Sequence, residues 1–136
     1  MTDDDFKSYA GDIGMAPVKL DAPCNLEQKH LDAFVEILGE DNVTTKDYPR
    51  LAVAYGKTGY DAARLRQRQI DSLPDVVLYP GTTEEVEKIV AYCTEQKIPL
   101  YVYGGGSSVT RGVEPTKGGV SLDMRKRFNK VLSFNE

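Results

Sequence analysis

Val76-Val77-Leu78-Tyr79 is a short continuous apolar run closed by Pro80-Gly81, and Leu100-Tyr101-Val102-Tyr103 is a second, entered through Pro99. Between them Thr82-Thr83-Glu84-Glu85 has the Thr-x-x-Glu form of a capping box, and Val86, Ile89, Val90 and Cys93 recur on one helical face. An apolar run of this length without alternation suits a strand covered on both faces. Strand, helix and strand with short connections make a βαβ unit, so the two strands should be parallel and the crossover right-handed. Gly119–Asp123 and Lys130–Phe134 are two further strand candidates. The expected fold is therefore α/β (α+β): a small mixed sheet of about four strands with packed helices.

Upstream the signals are weaker. Residues 1–24 show no periodicity and read as an irregular lead-in. A helix is expected from Leu26 to Leu38, with Asn25 as N-cap, Gln28 three residues on and Gly39 just past its end. Leu31, Phe34, Val35 and Leu38 would form its buried face. Tyr48-Pro49 and the glycines at 56 and 59 interrupt any long element, and a short helix is expected from Ala62 to Gln69. Arg64, Arg66 and Arg68 on it do not share a face, so they read as solvated charges and not as an anion site.

The chain has 136 residues, of which 40% are hydrophobic and 28% charged, as in an ordinary globular domain. No apolar run approaches the roughly 20 residues of a membrane-spanning helix. The acidic start, Met1 to Lys7, lacks the apolar stretch of a secretory signal, which points to the cytoplasm. Net charge is −4, but it is distributed unevenly: residues 1–43 carry −7, 44–70 +4, 71–98 −4 and 99–136 +3. This mosaic argues against nonspecific nucleic-acid binding, which needs a dominant basic face, while the last third remains able to host an anionic small molecule.

Cys24 and Cys93 are too few for a disulfide framework or a zinc site. Cys93 falls on the helical stripe and reads as a buried structural thiol. The single histidine, His30, excludes a two-histidine metal cluster and reads as a partly exposed bystander beside Lys29.

The stretch with most chemical content is Gly104-Gly105-Gly106-Ser107-Ser108-Val109-Thr110-Arg111-Gly112, directly after the second strand. Three glycines allow positive φ and close approach of the backbone to a ligand. Successive amides can then cradle an anion, with the hydroxyls of Ser107, Ser108 and Thr110 as further donors. Ligands of α/β sheets also gather at the carboxyl ends of parallel strands. Phosphate or pyrophosphate is the natural guest, and a glycine-rich turn without a ligand is the alternative. Two familiar motifs fail. Gly56-Lys57-Thr58 has the second half of a Walker loop, but Leu51 stands where its first glycine belongs; Gly104 and Gly106 are followed by Val109 where a dinucleotide fingerprint needs glycine.

Five motifs in order then resemble one flavoenzyme family. They are Leu65-Arg66, the run Leu73-Pro74-Asp75 to Pro80, Thr83 to Val86, Tyr103 to Val109, and Ser121 to Met124. Together they look like the FAD-binding domain of the vanillyl-alcohol oxidase / p-cresol methylhydroxylase superfamily. Within it the chain most resembles alkyldihydroxyacetone-phosphate synthase and its bacterial FAD-linked oxidase relatives. The likeness covers about half of the chain, with only weak support from residues 1–60.

The resemblance implies a split FAD domain with residues 61–136 as its first subdomain and residues 1–60 as a lead-in and helical segment. It implies FAD as cofactor, with the amides of Gly104, Gly105, Gly106, Ser107 and Ser108 facing the pyrophosphate and flanking contacts from Val102, Tyr103 and Val109. Relatives often have Pro at the place of Val102 and Thr at that of Ser107; backbone contacts survive both differences. His30 lies outside the matching motifs, so noncovalent FAD is expected. The implied enzyme either exchanges the acyl group of a dihydroxyacetone-phosphate ester for a fatty alcohol, or takes a hydride from a 2-hydroxy acid such as glycolate or D-lactate. A noncatalytic phosphate-binding module is the rival reading. The end at Glu136, just after a strand-like run, reads as a cut, so the expected partners are the remaining FAD and substrate domains of the parent chain and a small-molecule substrate. Neither nucleic acid nor a membrane span is expected, and a homodimer stays open. No catalytic residue and no metal ligand is assigned.

Overall fold

The computed structural model describes residues 19–134. Most of the lead-in therefore lies outside the described residues. The elements in order are α1 (Gln28–Leu38), a single 3-10 turn (Glu40–Asn42), β1 (Val43–Thr44), α2 (Asp47–Ala52), α3 (Gly59–Arg66), β2 (Val76–Leu78), α4 (Thr83–Gln96), β3 (Leu100–Tyr103) and β4 (Val120–Asp123).

The βαβ unit forms as expected, but its strands are not neighbours. The sheet order is β1-β2-β4-β3, so β4 lies between β2 and β3 and runs parallel to both. Val120 pairs with Val76 on one side and Leu100 on the other. Burial explains the order: all four residues of β4 are buried, whereas β3 occupies an edge and leaves Val102 exposed. The fourth strand is β1, antiparallel to β2 with Val43 opposite Leu78. The expected strand over Lys130–Phe134 does not form. Residues 130–134 pair with no strand, and Val131, Leu132 and Phe134 are exposed.

Alternation along β2 divides the core. Val76 and Leu78 join Val120, Leu122, Phe34, Leu38, Ile89, Cys93 and Ile98 under α1 and α4. Val77 points the other way, to Val53 and Tyr103. Burial pushes the Cys93 thiol up to about 11, so it is a thiol at neutral pH and a structural one, as expected. In α4 the stripe is shifted, because Val90 is exposed and Tyr92 packs against the core in its place.

Caps decide the helix boundaries. α1 begins at Gln28 and not at Leu26, because the Asn25 amide donates to Asp75 Oδ1 (2.8 Å) and holds that residue outside the helix. Asp75 Oδ2 accepts from Gly119 (2.6 Å), so one buried carboxylate ties the lead-in to the starts of β2 and β4. α3 starts at Gly59, three residues before expectation, because the Thr58 hydroxyl accepts from the Asp61 amide (3.0 Å). α2 was not expected at all. Its Pro49 sits in the first turn, where an amide has no intrahelical acceptor to lose.

At the start of α4 the Thr82 hydroxyl accepts from the Glu85 amide (3.2 Å). The Glu85 carboxylate reaches Gly81 (2.6 Å) and Arg127 (3.0 Å) and not the Thr82 amide. Burial raises the Glu85 carboxyl, but the Gly81 amide and Arg127 outweigh it and hold it below its ordinary value. The helix ends on Lys97 in the left-handed region at φ 56°. A Cβ there costs about 1 kcal/mol that glycine avoids. Lys97→Gly should accordingly raise stability by about 0.5–1 kcal/mol in urea unfolding, and an unchanged or lower midpoint would refute the cap argument.

Candidate functional site

The parallel strands β2, β4 and β3 end on one edge of the sheet, and three segments leave from it: Tyr79–Gly81, Met124–Arg127 and the glycine loop. β3 anchors the loop. The Tyr103 carbonyl accepts from the Met124 amide (3.0 Å), and its buried ring stacks 4.6 Å from the Arg125 guanidinium. Val102, on the edge strand, is exposed, as are Gly104, Gly105, Ser107 and Val109; Gly106 is buried and Ser108 half-buried.

The three glycines serve different ends. Only Gly106 has positive φ (+69°), and a Cβ there would run into the Tyr103 hydroxyl, so glycine is required by the fold itself. At Gly104 and Gly105 a Cβ would meet nothing within 4 Å. Their lack of a side chain leaves open space above the backbone. Among the described residues no group accepts from the amides of Gly105, Gly106, Ser107 or Ser108. Gly106 is buried as a residue, and its amide is among those without an acceptor. The Ser108 hydroxyl accepts from the Gly112 amide (3.2 Å) and closes the loop on itself, keeping one proton to donate. The Ser108 carbonyl packs so closely on Gly56 that a Cβ at Gly56 would overlap it.

The segments leaving this edge carry four cations, of which Arg111, Arg125 and Arg127 are paired with Glu114, Asp123 and Glu85. Arg111 belongs to the loop and Arg125, Lys126 and Arg127 follow β4. Arg125 is held by Asp123 (2.6 Å), which raises its pKa; Lys126 lies 4.4 Å from the Tyr79 ring centroid. Burial first, and then the Asp123 charge, pushes the Tyr79 phenol up, so it stays protonated. Amides without acceptors and open space above two glycines together suit a pyrophosphate.

Two expectations fail here. His30 is buried and not partly exposed: its Nδ1 lies 2.9 Å from the Tyr92 hydroxyl between α1 and α4. The aromatic partner, sixty-two residues away in sequence, gave no local signal. Arg64 is likewise buried, whereas Arg66 and Arg68 are exposed as expected. Arg64 donates to Glu114 Oε1 (3.1 Å) and Asp71 Oδ2 (3.0 Å), and its guanidinium lies over the Tyr55 ring. The Asp71 and Glu114 hydrogen bonds outweigh burial and raise its pKa. Helical periodicity could not reveal this, because the carboxylates come from other segments. Among the described residues no helix is long and apolar enough to cross a membrane.

Comparison with known proteins agrees with the geometry. A family model described as an FAD binding domain matches residues 74–136, which take in β2, α4, β3, the glycine loop and β4. The alkyldihydroxyacetonephosphate synthase of Trypanosoma brucei brucei is 31% identical over 118 residues, covering 83% of this chain and 19% of that protein. Glycolate oxidase subunit GlcD of Bacillus subtilis is 29% identical over 105 residues, covering 77% of this chain and 20% of that protein. A solved alkyldihydroxyacetonephosphate synthase superposes with a TM-score of 0.78 at 28% identity, over 87% of this chain and 22% of its own. The chain thus spans about a fifth of the length of these relatives.

Proposed function

We propose that residues 74–136, which match the FAD binding domain model, are part of such a domain and that the glycine loop is where this chain grips the FAD pyrophosphate. The amides of Gly104, Gly105, Gly106, Ser107 and Ser108 face the phosphates, flanked by Val102, Tyr103 and Val109. The observation that carries this reading is the run of amides without acceptors, together with open space at Gly105. Noncovalent binding by this chain is supported by the place of His30, which is enclosed between two helices. Residues 61–136 form the first subdomain of a split FAD domain, and residues 1–60 supply the lead-in and helical segment.

The parent activity is that of a flavin-dependent enzyme similar to alkyldihydroxyacetone-phosphate synthase, with a small-molecule substrate bound by other parts of the protein. FAD, when bound, supplies a redox-active ring system. This chain's residues hold and orient its phosphates. The glycolate oxidase likeness favours a second reading, dehydrogenation of a 2-hydroxy acid. Two free thiols, Cys24 and Cys93, suit a reducing compartment such as the cytosol.

The test is ligand discrimination. FAD, FMN and ADP are titrated into the chain, with flavin fluorescence as readout and ADP as competitor. FAD should bind weakly, ADP should displace it, and FMN, which lacks the pyrophosphate, should bind much less. FMN binding as well as FAD, or FAD that ADP cannot displace, would refute the pyrophosphate assignment. ADP binding with no preference of FAD over ADP would favour a noncatalytic phosphate module.

A further inference from the structure

Outside the loop itself, the most elaborate polar structure is the buried group around Arg64. Arg64 lies in α3, yet its partners come from two other places. Asp71 belongs to the segment leading into β2, and Glu114 closes the segment that begins with the glycine loop. Glu114 is itself buried, accepts from the Ser72 hydroxyl (3.0 Å) and also pairs with Arg111. Its amide bonds back to the Arg111 carbonyl (3.0 Å). Arg111 adopts the left-handed region at φ 64°, a conformation disfavoured for any residue with a Cβ, so something must hold it there.

The loop is therefore gripped at two points: Gly56 under the Ser108 carbonyl, and Arg64 through Glu114. Both grips come from the segment spanning Gly56 and α3, which lies outside the FAD-family match. Building on the pyrophosphate reading above, we infer that Arg64 is a positioning residue, whose buried pair with Glu114 fixes the far end of the glycine loop so that its amides are arranged before the cofactor arrives. Arginine is needed because its fork serves two carboxylates at once, Nη1 to Glu114 and Nη2 to Asp71. Lysine keeps the charge but cannot span both. Preorganised donors bind phosphate more tightly because the ordering cost is already met by the fold.

The experiment compares the unmodified chain with Arg64→Lys and Arg64→Met. Hydrogen exchange without ligand follows the Gly112 and Glu114 amides, the two that the loop closes on itself, against those of β2 and β4 as an internal reference. FAD titration gives the affinity. In Arg64→Lys the two loop amides should exchange about tenfold faster with the strands unchanged, and the FAD dissociation constant should rise about tenfold. Arg64→Met should show the same pattern more strongly; if it unfolds, Arg64→Lys still decides. Loop amides exchanging at the original rate, or strands and loop accelerating together, would overturn the positioning role. A loosened loop with unchanged FAD affinity would uphold the grip on the loop and instead remove the pyrophosphate from it.

Discussion

Gly105→Val is expected to leave the chain folded and to strip it of flavin. Gly105 does not have positive φ, and a side chain there meets nothing within 4 Å, so the substitution strains neither backbone nor core. The isopropyl group would instead fill the space through which a phosphate oxygen must come within about 2.9 Å of the loop amides. Losing two charge-assisted hydrogen bonds costs about 3 kcal/mol or more, a weakening of at least about a hundredfold. Flavin absorbance per protein, measured on the holoprotein carrying this domain, should fall to background while the unfolding midpoint stays in place. Gly106→Ala is the informative contrast. Its positive φ and the Tyr103 hydroxyl make that change destabilising by itself, so lost flavin there would say nothing about the phosphate. Unchanged flavin content in Gly105→Val would refute the assignment.

Phe34→Ala carries the largest expected loss of stability. Phe34 is wholly buried where α1 meets the sheet, and it stacks edge-on to Tyr92 with ring centroids 5.4 Å apart. Truncation leaves a cavity bounded by both helices and removes the aromatic pair, for about 3–5 kcal/mol. A domain of this size has about 5–15 kcal/mol in total, so much of its margin would go. Urea unfolding should show the midpoint collapse, together with faster exchange at His30 and Tyr92. A loss below about 1 kcal/mol would mean that α1 is not integral to the core.

Much of this architecture was legible in order of residues. The apolar runs at 76–79 and 100–103 and the stripe between them identify a βαβ unit, because burial on both faces and on one helical face leave different periods. The glycine loop announced itself by composition and by its place after a strand. The order of five motifs along the chain carries the resemblance to the flavin family. The strand order was not legible. Nothing local in Val120–Asp123 states that it slides between β2 and β3, since pairing partners are chosen by the burial of whole strands. Residues 130–134 carried the same local signal as a true strand, yet they join no strand of the sheet. β1, with two residues, was too short to carry a period at all.

Sequence alone determined that this chain contains a parallel strand–helix–strand unit followed by a glycine-rich loop. These are properties of short segments, fixed by side-chain period, cap chemistry and the absence of Cβ atoms. Tertiary structure alone decided which glycine the fold requires and which it leaves with open space above it. Gly106 is held by Tyr103, Gly105 is free, and only contacts across the loop distinguish them. It also turned Arg64 from a surface charge into the buried partner of Glu114, fifty residues away. A charge can be buried only where opposite charges from distant segments converge, and that convergence exists only in the folded chain.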